Sequence, residues 1–537
     1  MLPRVTCAKL APVFNPRLST FVRVLFFILI LSACAPTAKR VVLLVDGQRR
    51  VFDTFAITVE DVLREQGVPL DDDDRVEPPL FAEVGRSATI TLTRVERRVE
   101  SIAQAIPFTR QVVRDEAYPD GQMRVLQLGA NGTVAITYTL TIENGNEVAR
   151  RETARTLIAQ PKDEVLALGT QGSIASVPIA GTLAYIAHRN AWVIRRASGD
   201  KRPLTIEGDL DGRVFSLSAD GRYLLFSRAR ADALNSLWIV DTLVANDTPR
   251  AFAERVSDVV WAQLSPDARA LAYSTGEKTP GAPGWKARND LWIAPLALGD
   301  GAITLRAPNQ VWKPAMPAPY SWWGANFSFA PDNRTLAYAF ANEIGFVDTG
   351  ERATDDNRTP RRALKTFAPF YARADWVWIP RVEWSPDSRF IIGVVHAPLG
   401  NPRVASDDPT FEVWALARDG SVSAALAKPT GMWSAPTWSP VDARGASRIA
   451  FGVSLAPSDS ERSRYALQVM DRDGGNKKQI FPQSDEPGLT HAQIAWSPNA
   501  QQLVAIRDGD VWLYDFATNR WTPLTANGAA ALPRWGK

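Results

Sequence analysis

The sequence predicts a mainly β protein: a small α+β module, an elongated strand-rich segment, and then a long array of antiparallel strand units. Three observations carry this. After residue 180 a strand, an SPD-like turn and an apolar strand recur. All 18 tryptophans fall between Trp192 and Trp535, so the composition shifts about a third of the way along. Before that shift, period-two alternation dominates, with one short helical pattern.

The chain opens with Arg4, Lys9, Arg17 and Arg23 and has no acidic residue before Asp46. The apolar run from Val24 is about ten residues long, half of what a membrane-crossing helix needs. A basic start, a short apolar stretch and small residues at its end predict a secretory signal over 1–33. Leu31-Ser32-Ala33 is followed directly by Cys34, which resembles the bacterial lipoprotein box. The resemblance implies cleavage before Cys34, a diacylglyceryl thioether and a palmitate-type chain on it, and a tether over 34–39. The first expected partner is therefore the lipid bilayer, on the extracytoplasmic face of the cell membrane. Cys7 leaves with the signal, so no disulfide and no CxxC zinc site is expected. A net charge of +3 with no Lys/Arg block interleaved with aromatics argues against nucleic acid.

Residues 40–94 read as hairpin, helix, loop and strand. Asp46-Gly47 in VVLLVDGQRRVFDT is a type I′ turn signal. Thr58 is placed to cap TVEDVLREQG, where Val59, Val62 and Leu63 form the apolar stripe and Gly67 stops the helix. This resembles the ubiquitin-like repeat of resuscitation-promoting factors. The DDDD run at Asp71–Asp74 lacks the alternating ligands and glycine of a calcium loop and is expected to be a solvated turn.

Residues 95–170 alternate with period two, turn at Asn144-Gly145, and carry Gly121, Gly129, Gly132, Gly145 and Gly169. With AIPF at 105–108, YPDG at 118–121 and the ending PKDEVLALGT, the segment resembles the five-glycine, or G-five, domain. The resemblance implies an elongated all-β module with little core. It also implies adhesion to wall glycan or peptidoglycan, N-acetylglucosamine-containing polymers among them, or service as a spacer. A small-residue linker is expected over 171–180.

From 181 to 537 the repeat reads FSLSADGRYLLFS, WAQLSPDARALAYS, FSFAPDNRTLAYA, VEWSPDSRFIIGV, APTWSPVDARGASRIAFG and IAWSPNAQQLVAI. Proline presets φ and aspartate bonds back to the backbone, so the chain reverses tightly. The pattern resembles the TolB-type β-propeller. A further copy, TLAYIAHRNAWVIRRASGD, lacks its first strand, and ALPRW near the C-terminus lacks a second. Joining the two gives a seven-bladed propeller; TolB itself has six blades, which keeps six as the alternative.

In a blade of strands A to D, the A–B and C–D turns share one end and the D–A and B–C loops the other. Most long insertions fall in the second set, which marks that face for binding a protein or glycan partner. Trp323, Trp378 and Trp433 stand seven or eight residues before their turn prolines, with Trp312, Tyr320, Trp322, Tyr371 and Trp376 nearby. These rings suit the apolar faces of sugars or an apolar peptide. Trp261, Trp384, Trp438 and Trp496 are expected to pack between blades. His188, His396 and His491 complete the candidate set, although the first two fall in non-adjacent blades. No GxSxG elbow is present, and no metal site or cofactor is expected. The expectation is a non-catalytic, lipid-anchored envelope scaffold; the alternative is a lyase or hydrolase acting on an envelope polysaccharide.

Overall fold

The computed structural model describes residues 37–537, apart from 172–173, 246, 253–255, 300–301, 313–321, 351–360, 371, 373–375 and 400–407. Cys34 and the leader before it lie outside the described residues, as do Tyr320 and Tyr371. Contacts divide the chain into two units. One runs to Thr109 and includes Gly129–Asp163; the other comprises Arg110–Leu128 and Glu164–Lys537.

The first unit begins with β1 (Lys39–Val45), β2 (Gln48–Thr54), helix α1 (Val59–Glu65), β3 (Arg75–Glu77) and β4 (Ser87–Thr93). Asp46 and Gly47 both take positive φ, 49° and 73°, as a type I′ turn requires. The Thr58 hydroxyl accepts from the Asp61 N–H, and the Asp61 carboxylate accepts from the Thr58 N–H, which closes a capping box. Val59, Val62 and Leu63 are buried against Val41, Leu43 and Ile90 of the sheet. The sheet order is β2-β1-β4-β3, with β1 and β4 parallel. Asp74 departs from the solvated turn expected of the DDDD run. Its carboxylate accepts from Arg94 at 2.7 Å and from the Val95 N–H at 3.0 Å.

Six strands follow: β5 (Val95–Ile106), β6 (Arg110–Pro119), β7 (Met123–Gln127), β8 (Gly132–Glu143), β9 (Asn146–Ala159) and β10 (Glu164–Gln171). They form two sheets, β5-β8-β9 in the first unit and β6-β10-β7 in the second. The first has little core: β9 is exposed along its whole length, and Val134, Ile136 and Leu140 of β8 are buried. Gly129 leaves room for the Phe108 ring, into which a Cβ would run. The sequence groups 95–170 as one module, and the structure divides it between two units. The cause is apolar packing, since Val113 of β6 and Val165 of β10 join a cluster with Leu183, Tyr185 and Leu513 from the strands beyond residue 178.

The rest of the second unit is a succession of antiparallel sheets, seven among the described residues. The first pairs β11 (Pro178–Ala187) with β12 (Asn190–Pro203) and with the last strand of the chain, Ala531–Gly536. The other six begin at Leu210, Val259, Asn326, Val382, Thr437 and Ile494, and each runs as a meander from its first strand outward. Apolar clusters lie between consecutive sheets. Ala184, Phe215 and Phe226 join the first sheet to the second, and Leu183, Tyr185, Val504 and Leu513 join the last to the first.

The recurrent turn is built as its sequence predicts, with one addition. Its serine hydroxyl accepts from the backbone N–H five residues on, at 2.9 Å for Ser265 to Ala270 and for Ser385 to Phe390. The aspartate accepts from the Ser265 hydroxyl at 2.6 Å and from the Arg269 N–H at 3.1 Å. The residue after the aspartate takes positive φ in Gly221, Ala268, Asn333 and Ser388.

The last strand reaches β11 in the register Thr182↔Gly536, Leu183↔Trp535 and Ala184↔Arg534. Gly181 sits at the crossing with φ +74°, and a Cβ there would meet the Gly536 carbonyl and Pro498. Gly181→Ala should therefore destabilise the second unit by at least about 2 kcal/mol, read from denaturant unfolding. Gly420→Ala is the control: its φ is +78° but nothing lies within 4 Å, so it should cost only about the 1–2 kcal/mol of backbone strain.

Candidate functional site

Along the first strand of each sheet, alternate side chains face one way. The position just before the recurring aromatic or leucine is Ser216, Gln263, Ser328, Glu383, Thr437, Ala495 and Arg534 in successive sheets. Several of these, with Gln493 and Asn326 two positions before two of them, bond to a neighbouring segment. Gln263 Oε1 accepts from the Phe329 N–H at 3.1 Å, Glu383 Oε1 from the Trp438 N–H at 3.0 Å, and Gln493 Oε1 from the Leu532 N–H at 2.7 Å. Asn326 donates to the Pro380 carbonyl at 3.0 Å, and Arg534 Nε to the Phe215 carbonyl at 2.9 Å.

These strands enclose a cavity of about 360 Å³ lined by Arg381, Glu383, Thr437, Gln493, Ala495 and Arg534, with Trp438, Trp496 and Trp535 in its wall. Arg381 is exposed to the water of the cavity yet surrounded by protein, and that thinned hydration lowers its pKa. Burial, together with the Arg381 charge, lowers Arg534 to about 10. Burial pushes Glu383 up to about 7, against the opposing pull of hydrogen bonds from Thr437 and Trp438 and the charge of Arg534. Sequence reading missed this group. A charged residue next to the aromatic in RVEW and PRW, inside an otherwise apolar strand, was the available signal.

The aromatic candidates separate. Trp312 and Trp378 are 2% exposed, and neither is open to a ligand. Trp312 packs edge-on against Tyr338 and Phe340, and Trp378 against Phe411 with its N–H on the Met432 carbonyl at 3.2 Å. His396 is also core, 1% exposed, between the Ala368 and Asp408 carbonyls at 2.8 and 2.5 Å. All three leave the candidate set: Trp312 and His396 end strands and turn into the apolar layers, and Trp378 packs inward just before one. Trp384, Trp438 and Trp496 are buried between sheets, and Trp261 is partly buried against Phe327.

The remaining rings form two patches. Trp376 stacks on Trp433, centroids 5.9 Å apart and planes 19° apart, and Trp433 meets His491 at 5.3 Å. His491 is exposed; burial of its inner side and the charge of Arg381 hold its pKa below the ordinary value. In the second patch Trp323 meets Trp285 edge-on at 5.7 Å, and the Trp322 N–H donates to the Trp285 carbonyl at 2.8 Å. Lys286 and Arg213 lie over the Trp322 and Trp285 rings at 5.5 and 4.6 Å. Trp285 lies in one of the long insertions that the sequence assigns to the binding face, but was not itself among the candidates. His188 stands apart, exposed at positive φ in the turn between β11 and β12. Among the described residues, no group of three or more His, Cys, Asp or Glu side chains is placed to hold a metal ion, and no helix is long and apolar enough to cross a membrane.

Comparison with known proteins finds two family matches. The G5 domain matches residues 97–171, and the G5-linked ubiquitin-like domain matches residues 41–80. The candidate cell wall shaping protein YabE of Bacillus subtilis is 31% identical over 128 residues, 24% of this chain and 31% of YabE. Resuscitation-promoting factor Rpf2 of Corynebacterium glutamicum is 25% identical over 166 residues, 30% of this chain and 44% of Rpf2. The chain thus spans less than half the length of the curated relatives it matches. Among solved structures, TolB from Acinetobacter baumannii aligns over 82% of this chain and 99% of its own at 11% identity and a TM-score of 0.34. The family matches fall on the two segments whose sequences resemble the ubiquitin-like repeat and the five-glycine domain.

Glu383 gives the cavity a measurable signature. Its folded pKa, about 7, lies above the ordinary 4.5, so the folded chain holds the proton more tightly than the unfolded one. The stabilisation is complete below about pH 4.5 and is lost as pH rises through 7. Glu383→Gln keeps the acceptor for Trp438 and removes the titration. Thermal unfolding should show wild type losing ground to this variant between pH 5 and pH 8; an unchanged difference would contradict the burial.

Proposed function

We propose that this chain is a lipid-anchored scaffold on the extracytoplasmic face of the membrane that recognises wall glycan and performs no chemistry of its own. Cys34 carries the anchor, supported by Leu31-Ser32-Ala33 before it. The ubiquitin-like and G5 segments associate with the wall, a reading supported by the wall-related names of YabE and Rpf2. The seven sheets are the blades of a closed propeller. Apolar clusters between every consecutive pair of sheets and the last strand's pairing with β11 support closure at seven rather than six.

The observation that carries the glycan reading is the pair of partly exposed aromatic patches. Trp376, Trp433, Trp322 and Trp323 all precede the first strand of a sheet, and Trp285 lies between second and third strands. In a propeller these loops share one face. Sugar rings stack their apolar C–H faces on such indoles, while the bordering cations and His491 meet polar rims.

The mature protein should therefore bind soluble wall-glycan fragments with a change in tryptophan fluorescence. Replacing Trp376 and Trp433 together by alanine should weaken that binding by about tenfold. Unchanged affinity would remove the aromatic face from the account. Release of shortened or unsaturated sugar products on incubation with metal ions would replace scaffolding with the polysaccharide-active alternative.

A further inference from the structure

We propose that the cavity between the first strands is a binding site for a carboxylate, held by Arg381 with Arg534 and Gln493 beside it. The site goes beyond the aromatic face and stands whether or not that face takes a glycan, because its residues lie on or next to inner strands rather than on the long loops.

The state of Arg381 is the starting point. Several arginines of the same unit are paired with carboxylates, as Arg418 is with Asp332 at 2.7 Å and Arg507 with Glu486 at 2.7 Å. Among the described residues Arg381 makes no hydrogen bond or ion pair, yet it stands inside a cavity. Arg534 spends Nε on the Phe215 carbonyl and Nη1 on the Pro533 carbonyl, both at 2.9 Å. Its Nη2 has no hydrogen-bond partner among the described residues. Gln493 uses its carbonyl oxygen on the Leu532 N–H, which leaves its amide NH₂ as a further donor.

Charge decides the sign of the ligand. The lining holds Arg381, Arg534 and Glu383, two positive groups against one negative. Two minus one leaves +1 when Glu383 is ionised and +2 when it is protonated. A guanidinium that faces the cavity with no protein partner has its fork of donors free for an anion. A monoanion with two coplanar oxygens fits guanidinium geometry best, because the planar fork gives two parallel hydrogen bonds. A dianionic phosphate would set its second charge against Glu383. The volume, about 360 Å³, lies at the small end of ligand pockets, which run from about 300 to 1,000 Å³.

Glu383 makes the site sensitive to pH. It faces the Thr437 hydroxyl and Trp438 N–H from the next sheet and the Arg534 charge from the last strand, with Arg381 on its own sheet. Its pKa lies near 7, so raising the pH places a second negative charge beside the bound carboxylate. His491, the other titrating group near Arg381, is held below its ordinary pKa and stays mostly neutral in that range.

Calorimetric titration of the full chain with glucuronate, glucose, acetate and inorganic phosphate tests the proposal. Glucuronate should bind and glucose should not. Affinity should be higher at pH 6 than at pH 8, and Glu383→Gln should remove that difference. Arg381→Ala should weaken glucuronate by about tenfold or more. Should that variant fail to unfold at the wild-type midpoint, Arg381→Lys replaces it and should bind with intermediate affinity. Glucuronate tighter than acetate assigns the carboxylate to a sugar acid, and equal affinity assigns it to a simple carboxylate; both support the site. No glucuronate binding, phosphate binding tighter than either carboxylate, or an Arg381 variant with wild-type affinity overturns it.

Discussion

The structure of the second unit depends on one pairing: the strand Ala531–Gly536 hydrogen-bonds to β11, some 350 residues away in the chain. Without it β11 would present an open edge, and the cluster between the last sheet and the first would lose Trp535. Three glycines make the approach close enough. A Cβ on Gly181 would strike the Gly536 carbonyl, one on Gly221 would strike the Lys537 carbonyl, and one on Gly536 would lie 2.6 Å from Gly221 Cα. The backbone of the chain end therefore lies directly on the first strand and on the first recurrent turn. A stack of sheets that ends as it began leaves few unpaired strand edges to aggregate.

The same pairing builds the cavity. The register Ala184↔Arg534 carries a guanidinium into the space faced by Glu383 and Arg381 from a sheet some 150 residues earlier. A slip of one residue would turn the Arg534 guanidinium out of the cavity and into the apolar layer between sheets. Fold and candidate site are thus consequences of one register. Trp535 reinforces it, donating its N–H to the Ala180 carbonyl at 2.6 Å and packing against the cluster that holds Leu183 and Leu513.

What the sequence made legible is what neighbours in the chain decide. Turn chemistry announced Asp46-Gly47, the Thr58 cap and the recurrent SPD turns, because a few adjacent residues settle each of them. The strand lacking in the copy after residue 180 and the unmatched ALPRW also pointed at each other by pattern alone. The fate of individual side chains was not legible. Trp378 and Trp433 stand at like distances before their prolines, yet Phe411 and Met432 cover the first, while the second lies against Trp376 and His491. His396 read as a candidate on the binding face and is walled in by Phe370 and Phe411. Arg381 and Glu383 could not be grouped with Arg534 from the sequence because two segments some 150 residues apart supply them. The division of the G5 segment between two units likewise follows from where Val113 and Val165 find apolar partners, which its own repeat does not record.

Hydrogen–deuterium exchange of the full chain, resolved to the peptide spanning residues 530–537, tests the central pairing most directly. If the last strand closes the first sheet, its amides should exchange as slowly as those of the inner strand Arg448–Ser454, in the global-unfolding regime. Exchange of that peptide at the rate of an unstructured terminus, with the strand Arg448–Ser454 still protected, would contradict the account.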